Sequence, residues 1–220
     1  MGKILLTLIS IPKSVFFNFR YLPLSQAIRL PFMLTYNTRF SVKGSIQIEG
    51  DAHFGMIRIG FHKVPVCNVN DRTAIIVGKG ASLCFLGAAH IGNGSKLHVA
   101  ENASLSLGDE FAISASSAIN CYKSIKFGRD IQFSWNCLVM DSDTHSIFDQ
   151  QGTIMNAPES IEFGDKVWVG CNCTILKGAR IPSNCVIGAN SVVTGHCFQK
   201  NTIIASNPAK TLKEIGSWEL

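Results

Sequence analysis

Asp141, Asp143 and His145, at alternate positions, form the group of side chains best suited to chemistry in this 220-residue sequence. They open a polar stretch, MDSDTHSIFDQQGTIMNAPES, and in an extended segment side chains two residues apart share one face. Imidazole exchanges a proton near neutral pH, so His145 suits a general base. A carboxylate beside it would fix the tautomer and support the imidazolium, with Asp143 the first choice and Asp141 the second. Two other readings fit the same residues: an exposed loop histidine with no role, or a cation site of the Asp-x-Asp-x-His kind.

What must position these residues is a repeat. From residue 163 the chain reads FGDKVW, VGCNCT, ILKGAR, IPSNCV, IGANSV, VTGHCF. The first position is always apolar (Phe163, Val169, Ile175, Ile181, Ile187, Val193), and the fifth is small or β-branched (Val167, Cys173, Ala179, Cys185, Ser191, Cys197). VGKGAS at 77, IGNGSK at 91, LGDEFA at 107, FGRDIQ at 127 and FSWNCL at 133 repeat the pattern upstream, with frame slips from 103 to 107 and from 119 to 127. Each block is one short strand and a turn, and three blocks close a triangular coil whose apolar first residue fills the interior. Coils stack about 4.8 Å apart as parallel strands. A single coil cannot bury its own face, so the array must be several coils long. Residues 77–198 allow roughly six coils, and SIQIEG and MIRIGF (45–61) add a partial one. The polar stretch holding His145 interrupts the array, and long polar insertions in compact arrays usually carry function.

The eight cysteines fit the same frame. Cys137, Cys173, Cys185 and Cys197 take the small interior position, and the spacing of twelve among the last three points them from different faces. No shared metal site is expected. They read as buried small hydrophobes in a reducing compartment. Cys171, at position three, faces outward.

Charge divides the chain. Residues 1–48 contain Lys3, Lys13, Arg20, Arg29, Arg39 and Lys43 and no acid, so the body that follows is close to neutral. A near-neutral body argues against nucleic-acid binding. The apolar run Ile4–Ile11 is too short to span a bilayer, and no small-x-small cleavage site follows it. The expectation is a cytoplasmic protein. Its basic, aromatic residues 1–40 either touch the inner face of a membrane peripherally or pack on the domain or a neighbouring subunit.

The runs IGANSVVT (187–194) and IIASNPAK (203–210) are similar to the closing signature IGAGSVVT…VVAGNPAK of the hexapeptide-repeat acyltransferases, and the resemblance covers about residues 75–215. It implies an all-β fold, a left-handed parallel β-helix, against the usual right-handed crossover preference. The expected layout is an N-terminal extension at 1–44, a β-helix domain at 45–205 with loop 141–160, and a short helical tail at 206–220. In sugar acetyltransferases of this family a Thr-His-Pro-type turn before a long loop supplies the catalytic base. Thr144-His145-Ser146 stands in that place, with Ser146 for the proline.

The resemblance further implies acetyl-CoA as co-substrate, its pantetheine arm in a groove bordered by Cys171, Ala189 and Thr194, with Lys210 and Lys213 near the phosphates. Gly195-His196 replaces a frequent Lys-Asp, and Ser206 replaces a glycine. Lys210 and Lys213 read equally as a solvated helix face. Trp168 would wall the acceptor site or sit at a subunit interface, and Asn120 would reach the acceptor or carbonyl oxygen from a neighbouring subunit. Such enzymes are typically homotrimers. The implied function is acetyl transfer to a sugar hydroxyl of a glycan acceptor in surface polysaccharide biosynthesis. The rival readings are N-acetylation of an amino sugar, an acyl-carrier-protein donor, and a non-catalytic β-helix.

Overall fold

The computed structural model describes residues 3–68, 70–195 and 198–219, so His196 and Cys197 of the last repeat block lie outside the described residues. Alternating apolar and polar residues, reset by a turn about every six, give short strands lying on the three faces of a prism. Among the described residues the strands sort into sheets of nine, seven and six. The first face starts at Phe32–Leu34 and includes Ile131–Trp135, Val167–Val169 and Cys185–Ile187. The second includes Ala118–Cys121, Leu138–Met140 and Thr174–Leu176, and the third includes Ser124–Lys126 and Ile161–Phe163. Stacked strands pair in parallel, as Val169 beside Ile187 and Leu138 beside Thr174 show.

The turns follow the six-residue period. Lys166, Asn172, Gly178, Asn184 and Asn190, the fourth residue of successive blocks, all have positive φ. Asparagine and glycine accept that left-handed conformation most readily. Gly170, at position two, answers to close approach: a Cβ there would lie 2.6 Å from the Ala189 nitrogen of the next coil.

Coil length explains the upstream slips. Val169 stacks on Ile187, eighteen residues on, whereas Ile91 stacks on Ile113, twenty-two on, and Ile113 on Phe133, twenty on. The longer coils set a third residue inward on a side, as with Ala81, Leu83 and Phe85, all buried. Adding residues in pairs keeps inward residues inward, because the side-chain period is two. Phenylalanines fill the wider interior, with ring centroids 5.0 Å apart for Phe111–Phe127 and 4.7 Å for Phe127–Phe163.

Both expected ends differ. The prism begins before residue 44: Phe32–Leu34 pairs with Ile57–Ile59, and Arg39–Val42 with Ala74–Val77. Helix α1 (Lys3–Tyr21) lies against the first strand, followed by the short helix α2 (Leu24–Ala27). Phe32, Met33 and Leu34 are all buried, which conceals the alternation. Ser10, Ser14 and Asn18 of α1 point inward and cap the free edge of that strand. Ser14 Oγ accepts from the Leu34 nitrogen at 2.9 Å, Asn18 Oδ1 from the Phe32 nitrogen at 3.0 Å, and Ser10 Oγ from the Tyr36 nitrogen at 3.0 Å. The tail expected to be helical is instead the strand Lys210–Glu214, antiparallel to Thr202–Ala205. It pairs with an edge whose backbone groups would otherwise remain open.

Candidate active site

The polar insertion leaves the prism after Leu138–Met140 and returns at Ile161–Phe163, between the second and third faces. Its two roots close on each other, with the Glu159 nitrogen donating to the Asp141 carbonyl at 3.0 Å. A bridge between Phe148 and Ile154 folds the tip into a small hairpin.

Asp141 is fully buried and works for the prism. Its carboxylate accepts from the backbone nitrogens of Tyr122, Lys123 and Ser124 at 2.6, 2.9 and 2.8 Å, closing the corner of the preceding coil. Burial, and after it the Asp141 charge, pushes the neighbouring Cys121 thiol up to about 12. Asp143, two residues on, is exposed and works for the loop. Lys177 Nζ lies 2.5 Å from its Oδ2, and Asn156 Nδ2 donates to the same oxygen at 2.8 Å. The hydrogen bond from Lys177, then that from Asn156, holds this carboxyl below the usual aspartate range. Asn156 also donates to the His145 carbonyl at 2.8 Å and accepts from the Ile147 nitrogen at 2.7 Å, so it grips the backbone on both sides of Ser146.

His145 is exposed, and its Nδ1 lies 3.1 Å from Thr144 Oγ1. Thr144 has φ +64°, a conformation disfavoured for a β-branched residue and the kind of strain that gathers at functional sites. With Nδ1 engaged, Nε2 is the nitrogen left for a substrate proton. The three side chains expected to share a face therefore diverge: Asp141 into the prism, Asp143 to Lys177, His145 to Thr144. That divergence corrects the pairing of His145 with Asp141, and it removes the convergence an Asp-x-Asp-x-His cation site needs. The sequence reading missed Lys177 and Asn156. The lysine comes from the next coil, thirty-four positions after Asp143, and lay in an ordinary repeat block.

The other expected residues fall on several parts of the surface. Asn120 is half-buried on the second face beside Met140, and its carbonyl accepts from the Asp141 nitrogen at 3.4 Å, so it lies at the loop root. Thr194 follows Val193, which stacks on Ile175 of the same face. Cys171 and Ala189 lie on successive coils at the opposite corner, where the Asn190 nitrogen donates to the Cys171 carbonyl at 2.9 Å. Trp168 is on the first face, with Nε1 3.3 Å from Ser134 Oγ and its ring 6.4 Å from that of Trp218. Lys210 and Lys213 are exposed on the terminal strand. Within one chain, then, only Asn120 and Thr194 share a face with the loop root.

Residues 160–195 match the family described as bacterial transferase hexapeptide (six repeats). A Mycobacterium tuberculosis protein named as a candidate acetyltransferase is 31% identical over 137 residues, which are 59% of this chain and 44% of the relative. The Escherichia coli K12 protein WbbJ, named as a candidate lipopolysaccharide biosynthesis O-acetyl transferase, is 33% identical over 112 residues, 44% of this chain and 56% of that one. The chain thus spans about half the length of these two relatives. Among solved structures, the polySia-specific acetyltransferase NeuO superposes with a TM-score of 0.54 at 20% identity, over 86% of this chain and 79% of that chain, which is a likeness of fold. Residues 160–195 thus carry the bacterial transferase hexapeptide repeat, and the chain as a whole has the left-handed parallel β-helix fold.

Proposed function

We propose that this protein is an acyltransferase that moves an acetyl group from acetyl-CoA to a hydroxyl of a sugar or glycan, in surface polysaccharide biosynthesis. The observation that carries the reading is His145 itself, presented on a strained Thr144–His145 step and braced from the next coil through Lys177, Asp143 and Asn156. A reacting imidazole needs such support, since small misplacements of a catalytic group are expensive.

His145 Nε2 takes the proton of the acceptor hydroxyl as its oxygen attacks the thioester carbonyl. A carbon–oxygen bond forms, the carbon–sulfur bond breaks, and the imidazolium returns the proton to the departing sulfur. Cys171 and Ala189, stacked on one corner of bare backbone, fit the edge of a groove for the pantetheine arm. Lys210 and Lys213 offer cations to the phosphates. Asn120 and Trp168 are the proposed acceptor contacts.

A homotrimer follows from this reading, because the two corners of one prism do not meet. The loop tip exposes Ile147, Phe148, Ile154 and Met155, a surface suited to packing against a neighbouring prism. That contact would bring the neighbour's groove to His145. The reading carries a cytoplasmic location with it, where cysteines remain thiols.

The test is calorimetry with acetyl-CoA on wild type and His145→Ala, followed by thiol release with a panel of sugar acceptors. Both proteins are expected to bind acetyl-CoA, and only the wild type to turn over. Failure of both to bind would overturn the donor assignment, and full turnover by the variant would overturn the role of His145.

A further inference from the structure

Helix α1 is amphipathic in the reverse of the usual sense. Its inward side is largely polar, with Ser10, Ser14 and Asn18 bonded to the first strand. Its outward side carries Ile4, Leu8, Ile9, Ile11 and Phe19, each between 40 and 79% exposed, while Phe16 at one margin is exposed but also stacks on Phe40 of the prism, with ring centroids 6.3 Å apart. At 3.6 residues per turn they span roughly 160° of arc, and no polar side chain interrupts it. An apolar stripe of this width normally faces a core. Here the prism lies on the other side. Among the described residues no helix is long and apolar enough to cross a membrane, so the stripe can only lie along a surface.

Charge identifies that surface. Arg20, in the last turn of α1, is exposed beside the stripe, and Arg29, just past α2, is exposed with its guanidinium donating to the Ala52 carbonyl at 3.1 Å. Along the flank of α1, Leu6 and Thr7 form one wall of a cleft of about 370 Å³ whose other wall includes Arg58, His62 and Lys63. Residues 1–48 contain no acid at all. A second copy docked through this stripe would bring two basic rims together, whereas a bilayer with anionic headgroups complements both the stripe and its rim.

We infer that the outer face of α1 is a docking surface for an anionic lipid bilayer, with the helix lying in the plane of the headgroups and the first coil of the prism against the membrane. Lipid-anchored acceptors would then be met at the surface where they reside. The docking itself is independent of the transfer chemistry proposed for His145.

The experiment is flotation of the full chain with phosphatidylcholine vesicles, with and without about one third phosphatidylglycerol, at low and high salt. The comparison is Leu8→Glu/Phe19→Glu, whose side chains lie outside the core. Wild type is expected to float with the anionic vesicles and at least about tenfold less with neutral ones or in high salt. The double variant is expected to lose at least about tenfold in partitioning, with unchanged melting temperature and sedimentation. Wild type that stays in solution with anionic vesicles overturns the inference, as does a variant that floats equally well. A variant that sediments as a smaller assembly overturns it in favour of a second copy on this face.

Discussion

The prism and the loop that leaves it handle two neighbouring aspartates in opposite ways. Asp141, at the last position of the prism, is sealed from water and bonded to three backbone nitrogens. Asp143, at the first free position of the loop, is exposed and bonded to side chains that reach it from elsewhere. A buried carboxylate that satisfies backbone donors holds a fold, because its removal strands those donors in a dry site. An exposed carboxylate held by a lysine and an amide fixes geometry while adding little to stability. The division assigns stability to one side of residue 142 and, on the proposed mechanism, chemistry to the other.

The strongest way to break that division is at the two residues that define it. His145→Ala is expected to lower kcat by about 10²–10⁴-fold. Its melting temperature should stay that of wild type, since the side chain is exposed. Asp141→Ala is expected to do the converse. Leaving the Tyr122, Lys123 and Ser124 nitrogens without their acceptor costs about 3 kcal/mol, or on the order of 10 °C in a chain of this size. Below its lowered midpoint this variant should keep far more activity than His145→Ala. Thermal melts beside initial rates measure both. A melt unmoved by Asp141→Ala would remove Asp141 from the prism.

How much of this was legible in the sequence follows the same boundary. The six-residue frame revealed the C-terminal coils because every interior position there obeys it, from Val167 to Ser191. Upstream the frame slipped where the prism widens to admit a third inward residue such as Phe85, a change of volume that a strict period cannot register. The first strand was hidden because all three of its residues, Phe32, Met33 and Leu34, are apolar and buried, so no alternation marks it. The tail was misread as helical because its partner, the edge of Thr202–Ala205, decides its conformation more than its own residues do. Within the candidate site, the loop that carries His145 was readable as a polar insertion that interrupts the repeat. Asp141 was misassigned because alternation implies a shared face only while the chain stays one strand, and it leaves the prism between residues 141 and 143. Lys177 was invisible because thirty-four positions of sequence separate it from the residue it holds on the adjacent coil.

The brace offers a smaller and sharper test. Lys177→Ala and Asn156→Ala are each expected to lower kcat by about tenfold through misplacement of His145, on the scale of losses from sub-ångström errors in position. Melting temperature should shift by no more than about 2 °C, as for other partly exposed ion pairs. Loss of one brace should also blunt the other. The double variant is expected to fall short of the product of the two single effects, because both act through one hydrogen-bonded unit. Independent, multiplying effects would mean that Lys177 and Asn156 act on separate parts of the loop.

The least effect, and the most discriminating, belongs to Asp143→Asn. The Lys177 and Asn156 hydrogen bonds hold the Asp143 carboxyl below its ordinary range, so its folded value is depressed. Its contribution to loop order is complete above the ordinary aspartate value of about 3.9 and is lost only as pH falls through the lower folded value. Between pH 5 and 8 Asp143 therefore stays charged and supplies no limb to the activity profile. Were it the partner of the His145 imidazolium, its replacement by asparagine would destabilise the charged ring and slide the acidic limb of kcat/KM to lower pH. As a pin on the loop, it leaves the limb in place and only scales the profile. Asparagine can still accept from Lys177, so the expected loss is small, about three- to tenfold, and uniform from pH 5 to 8. A displaced limb would return Asp143 to the side of the chemistry as the imidazole's own carboxylate, and would show that the alternation of Asp143 and His145 survives in the working enzyme.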